Sequence, residues 1–216
     1  MANDVVKIFE ELEGIIRNDH IVLTSGKHSD AYIRKDRLYP HTKQTSKICA
    51  MIAKKVADQK IDVVVSPALA GIVLSQWTAY HLSEMTNKDV LSLFTEKHYE
   101  DGQIYEAKQI FKRGYDKFVK GKRVLIVEDL TSTGSSVKKV VNSVKKAGGQ
   151  VIAVYVLVNR NPKDVNSKFM GAPFYSLATL EISAYDKKSC PMCKKNIPIN
   201  IEIGHGKEYL KNKKNK

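Results

Sequence analysis

At 216 residues the chain suits one domain with a proper core, and 43% hydrophobic with 27% charged residues is ordinary globular composition. No apolar run is long enough to span a bilayer, the opening residues do not read as a secretory signal, and three cysteines make no disulfide framework, so a cytoplasmic setting is expected. The net charge of +13 asks for an anionic partner, but no zinc-finger, helix-turn-helix or RNA-binding signature accompanies it, and neither nucleic acid nor membrane is expected as one.

In chain order, Val5, Ile8, Phe9, Leu12, Ile15 and Ile16 keep helical spacing, with Asp4 as a candidate cap. "SGKHSDAYIRKD" reads as a turn entering a short strand. Ile48, Met51, Ile52 and Val56 mark a second helix. Strands and helices then alternate: "DVVVS" strand, "GIVLSQWTAYHLSE" helix, "VLSLF" strand, "VLIVE" strand, "SSVKKVVNSVKKAGG" helix, "VIAVYVLV" strand. Continuous β-branched runs separated by helices predict an α/β fold, a parallel twisted sheet with helices on both faces. The Lys97–Lys122 segment has weak periodicity and reads as a long functional connection. The tail "KEYLKNKKNK" lies beyond any apolar pattern and reads as a frayed, solvated end.

"VLIVEDLTSTGSSV" carries the chemistry. Glu128 and Asp129 fall at a strand end, where open parallel sheets bind ligands. Thr131, Ser132, Thr133, Gly134, Ser135 and Ser136 follow, in the turn before a helix. Backbone amides, hydroxyls and the helix dipole there all favour a phosphate, and Gly134 permits close approach. The acids beside it suit sugar hydroxyls or a metal-bound group. A capped helix after an ordinary strand would explain either feature alone, but it does not explain the combination. Neither the Walker pattern nor the dinucleotide fingerprint is present.

This stretch resembles the phosphoribosyl-pyrophosphate signature of type I phosphoribosyltransferases. "VLTSGKHSDAYIRKD" and "CPMCKKNIPINIEIGHGKEYL" are similar to orotate phosphoribosyltransferases of the branch found in many thermophilic bacteria and archaea. The resemblance implies one phosphoribosyltransferase domain over 1–216, with a core at about 46–165, a mobile loop at 97–113, and a small hood from about 1–45 and 166–216. It implies transfer of the phosphoribosyl group to orotate in pyrimidine biosynthesis, in a homodimer. Magnesium would be bound mainly through the substrate, with no protein metal site.

By the same resemblance, Glu128 and Asp129 contact the ribose hydroxyls, and Leu130 through Ser136 surround the 5-phosphate. "SPALAG", with Ala70 and Gly71, is similar to the pyrophosphate loop, but Ala70 stands where many relatives carry lysine. Lys97, with Glu128 and Asp129, completes the expected catalytic set. His98, Lys108, Lys112 and Arg113 are further candidates for the leaving group's charge. Ser132, Arg160, Lys27 and Tyr32 are expected at orotate, with Ser25, Gly26 and Ile33 nearby. A purine substrate, or a nucleic-acid-binding sensor of the same donor, are the alternatives.

Cys190 and Cys193 have the spacing of half a zinc site. A second cysteine pair is missing, Cys49 lies within a helix, and His205 is a candidate third ligand. The resembling branch carries this tail motif without requiring a metal. A thioredoxin-like role fails because the motif does not open a helix after a strand.

Overall fold

Continuous burial builds the central sheet. The computed structural model describes residues 2–99 and 107–214. In the larger unit, 1–6 with 39–180, strands β3 (Val63–Pro67), β4 (Leu91–His98), β5 (Lys108–Ile110), β6 (Arg123–Thr131), β7 (Gln150–Asn159) and β8 (Phe174–Thr179) lie in the order β5-β4-β3-β6-β7-β8. All neighbours are parallel except β4 and β5. Val63, Val65, Val124, Ile126, Val154 and Val156 form one buried face with Val137, Val140, Val141 and Val144 of α5 (Ser135–Lys146). Each such side chain contributes roughly 1.5–3 kcal/mol by leaving water.

The intervening residues Val64, Leu125, Val127 and Leu157 are also buried. Helix α3 (Ala70–Thr86) packs against β3, β4 and β6, and α2 (Thr42–Val56) packs against α3. Both faces are therefore covered, as continuous β-branched strands require. Helix α5 stops in a Schellman turn. Gly148 adopts φ +79°, the Gly149 amide donates to Val144 O at 2.9 Å, and the Gly148 amide donates to Lys145 O at 3.0 Å. Short helices α4 (Asp116–Val119) and α6 (Ser167–Met170) complete this unit.

The smaller unit joins 7–38 to 181–216. Strands β1 (Ile15–Val22) and β2 (His28–Ile33) form an antiparallel hairpin, with a register shift between Arg17 and Ile21. The distal segment docks on it: His28 and Tyr185 exchange backbone bonds at 2.8 and 2.7 Å, and the amides of Asn200 and His205 donate to His20 O and Val22 O. Helices α7 (Pro191–Lys194) and α8 (Gly206–Lys214) belong here.

Several elements depart from the sequence reading. Helix α1 (Ala2–Glu11) ends before Ile15 and Ile16, which open β1 instead. Glu13 at φ +53° breaks the helix, and Gly14 lies against Phe9, where a Cβ would come within 2.9 Å of the ring. Asp4 sits within the first turn of that helix. The tail is helical through Lys214 rather than frayed. Of the loop expected over 97–113, residues 100–106 lie outside the described residues, while 108–110 form the antiparallel edge strand β5. Residues 174–179 add a parallel strand to the larger unit, although the sequence reading grouped them with the hood.

Candidate active site

Strand order fixes the site before any side chain is considered. From β3 the chain passes through α3 to β4 on one side, and from β6 through α5 to β7 on the other. The β3–β6 boundary is thus a topological switch point, where a crevice opens at the strands' carboxyl ends. The ladder between them runs from Val63↔Val124 to Val65↔Ile126 and stops. Beyond it lie "SPALAG" on one side and the acids with the hydroxyl turn on the other.

Glu128 and Asp129 lie near the end of β6, which closes at Thr131, and both are buried, at 8% and 1% exposure. Asp129 Oδ1 accepts from the Leu130 amide at 2.6 Å, and Oδ2 accepts from the Tyr39 hydroxyl at 2.5 Å. Glu128 Oε1 accepts from the Asp129 amide at 3.0 Å. Burial, with the negative charges of Asp129 and Glu128 close by, raises the Tyr39 pKa far above the usual phenol range. Tyr39 therefore remains a donor. Sequence reasoning missed it, because "RLYPH" carries neither periodicity nor a motif.

The turn after β6 exposes Ser132 and Thr133, and the first turn of α5 exposes Ser135 and Ser136. Gly134 is buried between them with φ +71°, and a Cβ there would lie 2.6 Å from Phe169 Cε1. The left-handed backbone and the packed ring both demand glycine. The first amides of a helix lack intrahelical partners, so a turn of this kind can offer amides and hydroxyls to an anion; here the Ser135 amide donates to Thr133 Oγ1 at 3.4 Å. The Arg160 amide donates to Thr131 O at 2.8 Å, which brings half-buried Arg160 at the end of β7 beside the same turn.

At the end of β3, Gly71 lies against Ser66, where a Cβ would meet Ser66 Cβ at 2.9 Å. Ser66 is itself held by Ser75 at 3.1 Å. Ala70 opens α3, and the Ala68 amide donates to Thr95 O, fixing the loop to β4. Lys97 and His98 are exposed at the end of β4. The carboxyl ends of β4, β3, β6 and β7, adjacent in that order, thus carry Lys97, Ala70 with Gly71, the acids with the hydroxyl turn, and Arg160.

The other expected residues belong to other segments of the chain. Lys112 Nζ and Arg113 Nε sit 3.4 Å from the two carboxylate oxygens of Glu96, so their charge is already engaged. Lys108 pairs with His98 across the β4–β5 ladder. Lys27 and Tyr32 belong to the smaller unit, Lys27 exposed and 3.6 Å from Asp186, Tyr32 half-buried opposite Ile16.

A family profile described as a phosphoribosyl transferase domain matches residues 35–171. The orotate phosphoribosyltransferase of Caldanaerobacter subterraneus subsp. tengcongensis is 37% identical over 195 residues, covering 90% of this chain and 93% of that protein. The enzyme of the same name from a Thermoanaerobacter species is 36% identical, with 91% and 94% coverage. Among solved structures, the Aeropyrum pernix orotate phosphoribosyltransferase superposes with a TM-score of 0.60 at 22% identity, covering 82% of this chain and 94% of that one. An adenine phosphoribosyltransferase from Thermoanaerobacter pseudethanolicus gives 0.56 at 19%, covering 80% and 99%, so the fold alone does not select the base. With its switch-point site and relatives matched along nine-tenths of its length, the chain belongs to the orotate phosphoribosyltransferase family.

Proposed function

We propose that this chain transfers the phosphoribosyl group of phosphoribosyl pyrophosphate to orotate, giving orotidine 5-phosphate and pyrophosphate. The carrying observation is the buried Glu128–Asp129 pair at the switch point, followed directly by the hydroxyl-lined turn that starts α5. In the reaction the bond from ribose C1 to the pyrophosphate oxygen breaks, and one from C1 to a ring nitrogen of orotate forms. Charge separates as it does so: the ribose gains oxocarbenium character while the leaving group gains negative charge.

Each cluster meets one part of that demand. The turn from Leu130 to Ser136 holds the 5-phosphate through amides and hydroxyls. Glu128 and Asp129 take the ribose hydroxyls and place negative charge beside the developing cation. Preorganised groups of this kind commonly contribute about 3–4 kcal/mol each. The backbone of Ala70 and Gly71, with Lys97, meets the pyrophosphate. Arg160 suits the planar carboxylate or a ring oxygen of orotate, with Ser132 beside it.

Magnesium fits a role carried mainly by the substrate. Glu128 and Asp129 already accept backbone amides and a phenol, and the described residues hold no three-carboxylate cage. When bound, the ion would neutralise pyrophosphate charge. A homodimer, which the resemblance implies, is part of the same proposal. So is a cytoplasmic setting, which suits three cysteines joined by no disulfide. No helix among the described residues is long and apolar enough to cross a membrane.

The test is an absorbance assay of the purified chain with the donor, magnesium and a panel of bases. Turnover of orotate, and not of adenine, hypoxanthine or guanine, is expected. Turnover of a purine with none of orotate would overturn the proposal. Light scattering of the same sample tests the dimer.

A further inference from the structure

Within the smaller unit, two stretches far apart in sequence bring four metal-binding side chains together. The β1–β2 hairpin supplies His20 and His28, and the turn into α7 supplies Cys190 and Cys193. One donor atom from each lies within 4.8 Å of all the others. His20, His28 and Cys190 are buried, at 1%, 0% and 0% exposure. Two parts of the sequence reading change. The missing pair is histidine rather than cysteine, and His205 is not a member: it bonds Thr24 at 3.0 Å and Glu208 at 2.8 Å.

From these residues we infer that His20, His28, Cys190 and Cys193 form a closed, structural Cys2His2 zinc site that ties the two stretches of the smaller unit together.

The geometry supports the ion. Tetrahedral zinc, with bonds of about 2.0 Å to nitrogen and 2.3 Å to sulfur, has nitrogen–sulfur edges of about 3.5 Å. Here Cys193 Sγ lies 3.4 Å from His28 Nδ1, and both Cys190 Sγ and Cys193 Sγ lie 3.7 Å from His20 Nε2. The His20 Nε2 to His28 Nδ1 separation, 2.7 Å, is a direct contact that must widen by about half an ångström to admit zinc.

The surrounding bonds support it too. His20 Nδ1 donates to Ile197 O at 2.7 Å, which sets the tautomer that points the Nε2 lone pair into the cluster. The Cys193 amide donates to Cys190 Sγ at 3.4 Å, which fixes that sulfur at the turn into α7. His28 turns Nδ1 into the cluster, 2.7 Å from His20 Nε2 and 3.4 Å from Cys193 Sγ, with its Nε2 buried on the other side of the ring. A cavity of about 350 Å³, lined in part by His20, His28, Cys193 and Tyr209, gives an ion a way in.

Two thiolates and two imidazoles are the ligand set that zinc favours over magnesium or calcium. Binding releases the two thiol protons and leaves a neutral site. The physical need is plain. The smaller unit joins chain segments about 170 residues apart and has little apolar core of its own. Units below about 70–80 residues commonly need a staple of this kind.

The test uses the full chain. Elemental analysis of protein purified without chelator should give one zinc per chain. Stripped wild-type protein titrated with Co²⁺ should show tetrahedral d–d bands and a thiolate-to-cobalt charge-transfer band, both saturating at one equivalent. Cys193→Ser should weaken cobalt affinity at least tenfold, while Cys49→Ser should keep the full spectrum. If Cys193→Ser does not fold, the wild-type titration decides alone. Absent stoichiometric metal, a cobalt spectrum without the thiolate band, or a Cys190–Cys193 disulfide whose reduction restores no metal uptake would each overturn the inference. None of these readouts involves turnover, so the zinc site and the orotate reaction are tested separately.

Discussion

Asp129 is held before any substrate arrives, with the Leu130 amide and the Tyr39 hydroxyl among its donors. Such a carboxylate has little freedom to reorganise during the reaction, which is what electrostatic preorganisation requires. Asp129→Asn should lower kcat by about 100-fold or more while circular dichroism stays native; full activity in that variant would remove the acid from the mechanism. Tyr39→Phe leaves the buried carboxylate one donor short, and a lost bond to a charged group costs about 1.5–3 kcal/mol, readable by denaturant unfolding. The phenol also gives a pH signature. Its folded pKa is raised, so the unfolded chain loses this proton first, and the stability it contributes is complete below about pH 10 and falls as pH rises above that. Unfolding midpoints measured from pH 8 to 11 should therefore decline less steeply in Tyr39→Phe than in the wild type. Arg160→Ala should raise KM for orotate far more than KM for the donor; equal changes would point to a different base.

At the scale of elements, the join from β6 to α5 couples the fold to the proposed phosphate grip in one residue. Gly134→Ala must adopt φ near +71° and push Phe169 aside, so it should cost about 1–3 kcal/mol by thermal unfolding. It should also raise KM for the donor at least tenfold, whereas Gly148→Ala should lower stability and leave KM unchanged. The contrast follows from position, since Gly148 ends α5 at the opposite pole of the helix. The same two ends show what a sequence can reveal. Strands β3, β6 and β7 and the valine stripe of α5 were legible because each repeats one physical pattern over many residues. Strand β1 was not, because its bulge and Asn18 at φ +58° break the alternation, and Ile15 with Ile16 continue the helical spacing past the point where Glu13 ends the helix. Edge strand β5 spans three residues, too few for any period to show. Tyr39 and the His20–His28 pair were hidden for another reason: their partners lie 90 or more residues away, and only the fold brings them together.

For the whole molecule, the open question is what a net charge of +13 does when the donor is a polyanion. Excess charge can steer an anion toward the whole protein or toward one place on it, and the two differ in where a lysine must stand. Lys97 ends β4 at the carboxyl pole of the sheet, whereas Lys146 ends α5 at the amino pole. A strand as long as β6 separates those poles by roughly 25–30 Å, about three Debye lengths at physiological salt. Charge reversal at Lys97 should therefore lower kcat/KM for the donor by tenfold or more at low salt, with part of the loss disappearing as salt screens the new repulsion. Lys146→Glu should change it by less than about twofold at physiological salt, because screening there removes its field before it reaches the crevice. Equal losses from both reversals would mean that the excess lysine acts as a diffuse field, and Lys97 would then lose its assigned place at the pyrophosphate.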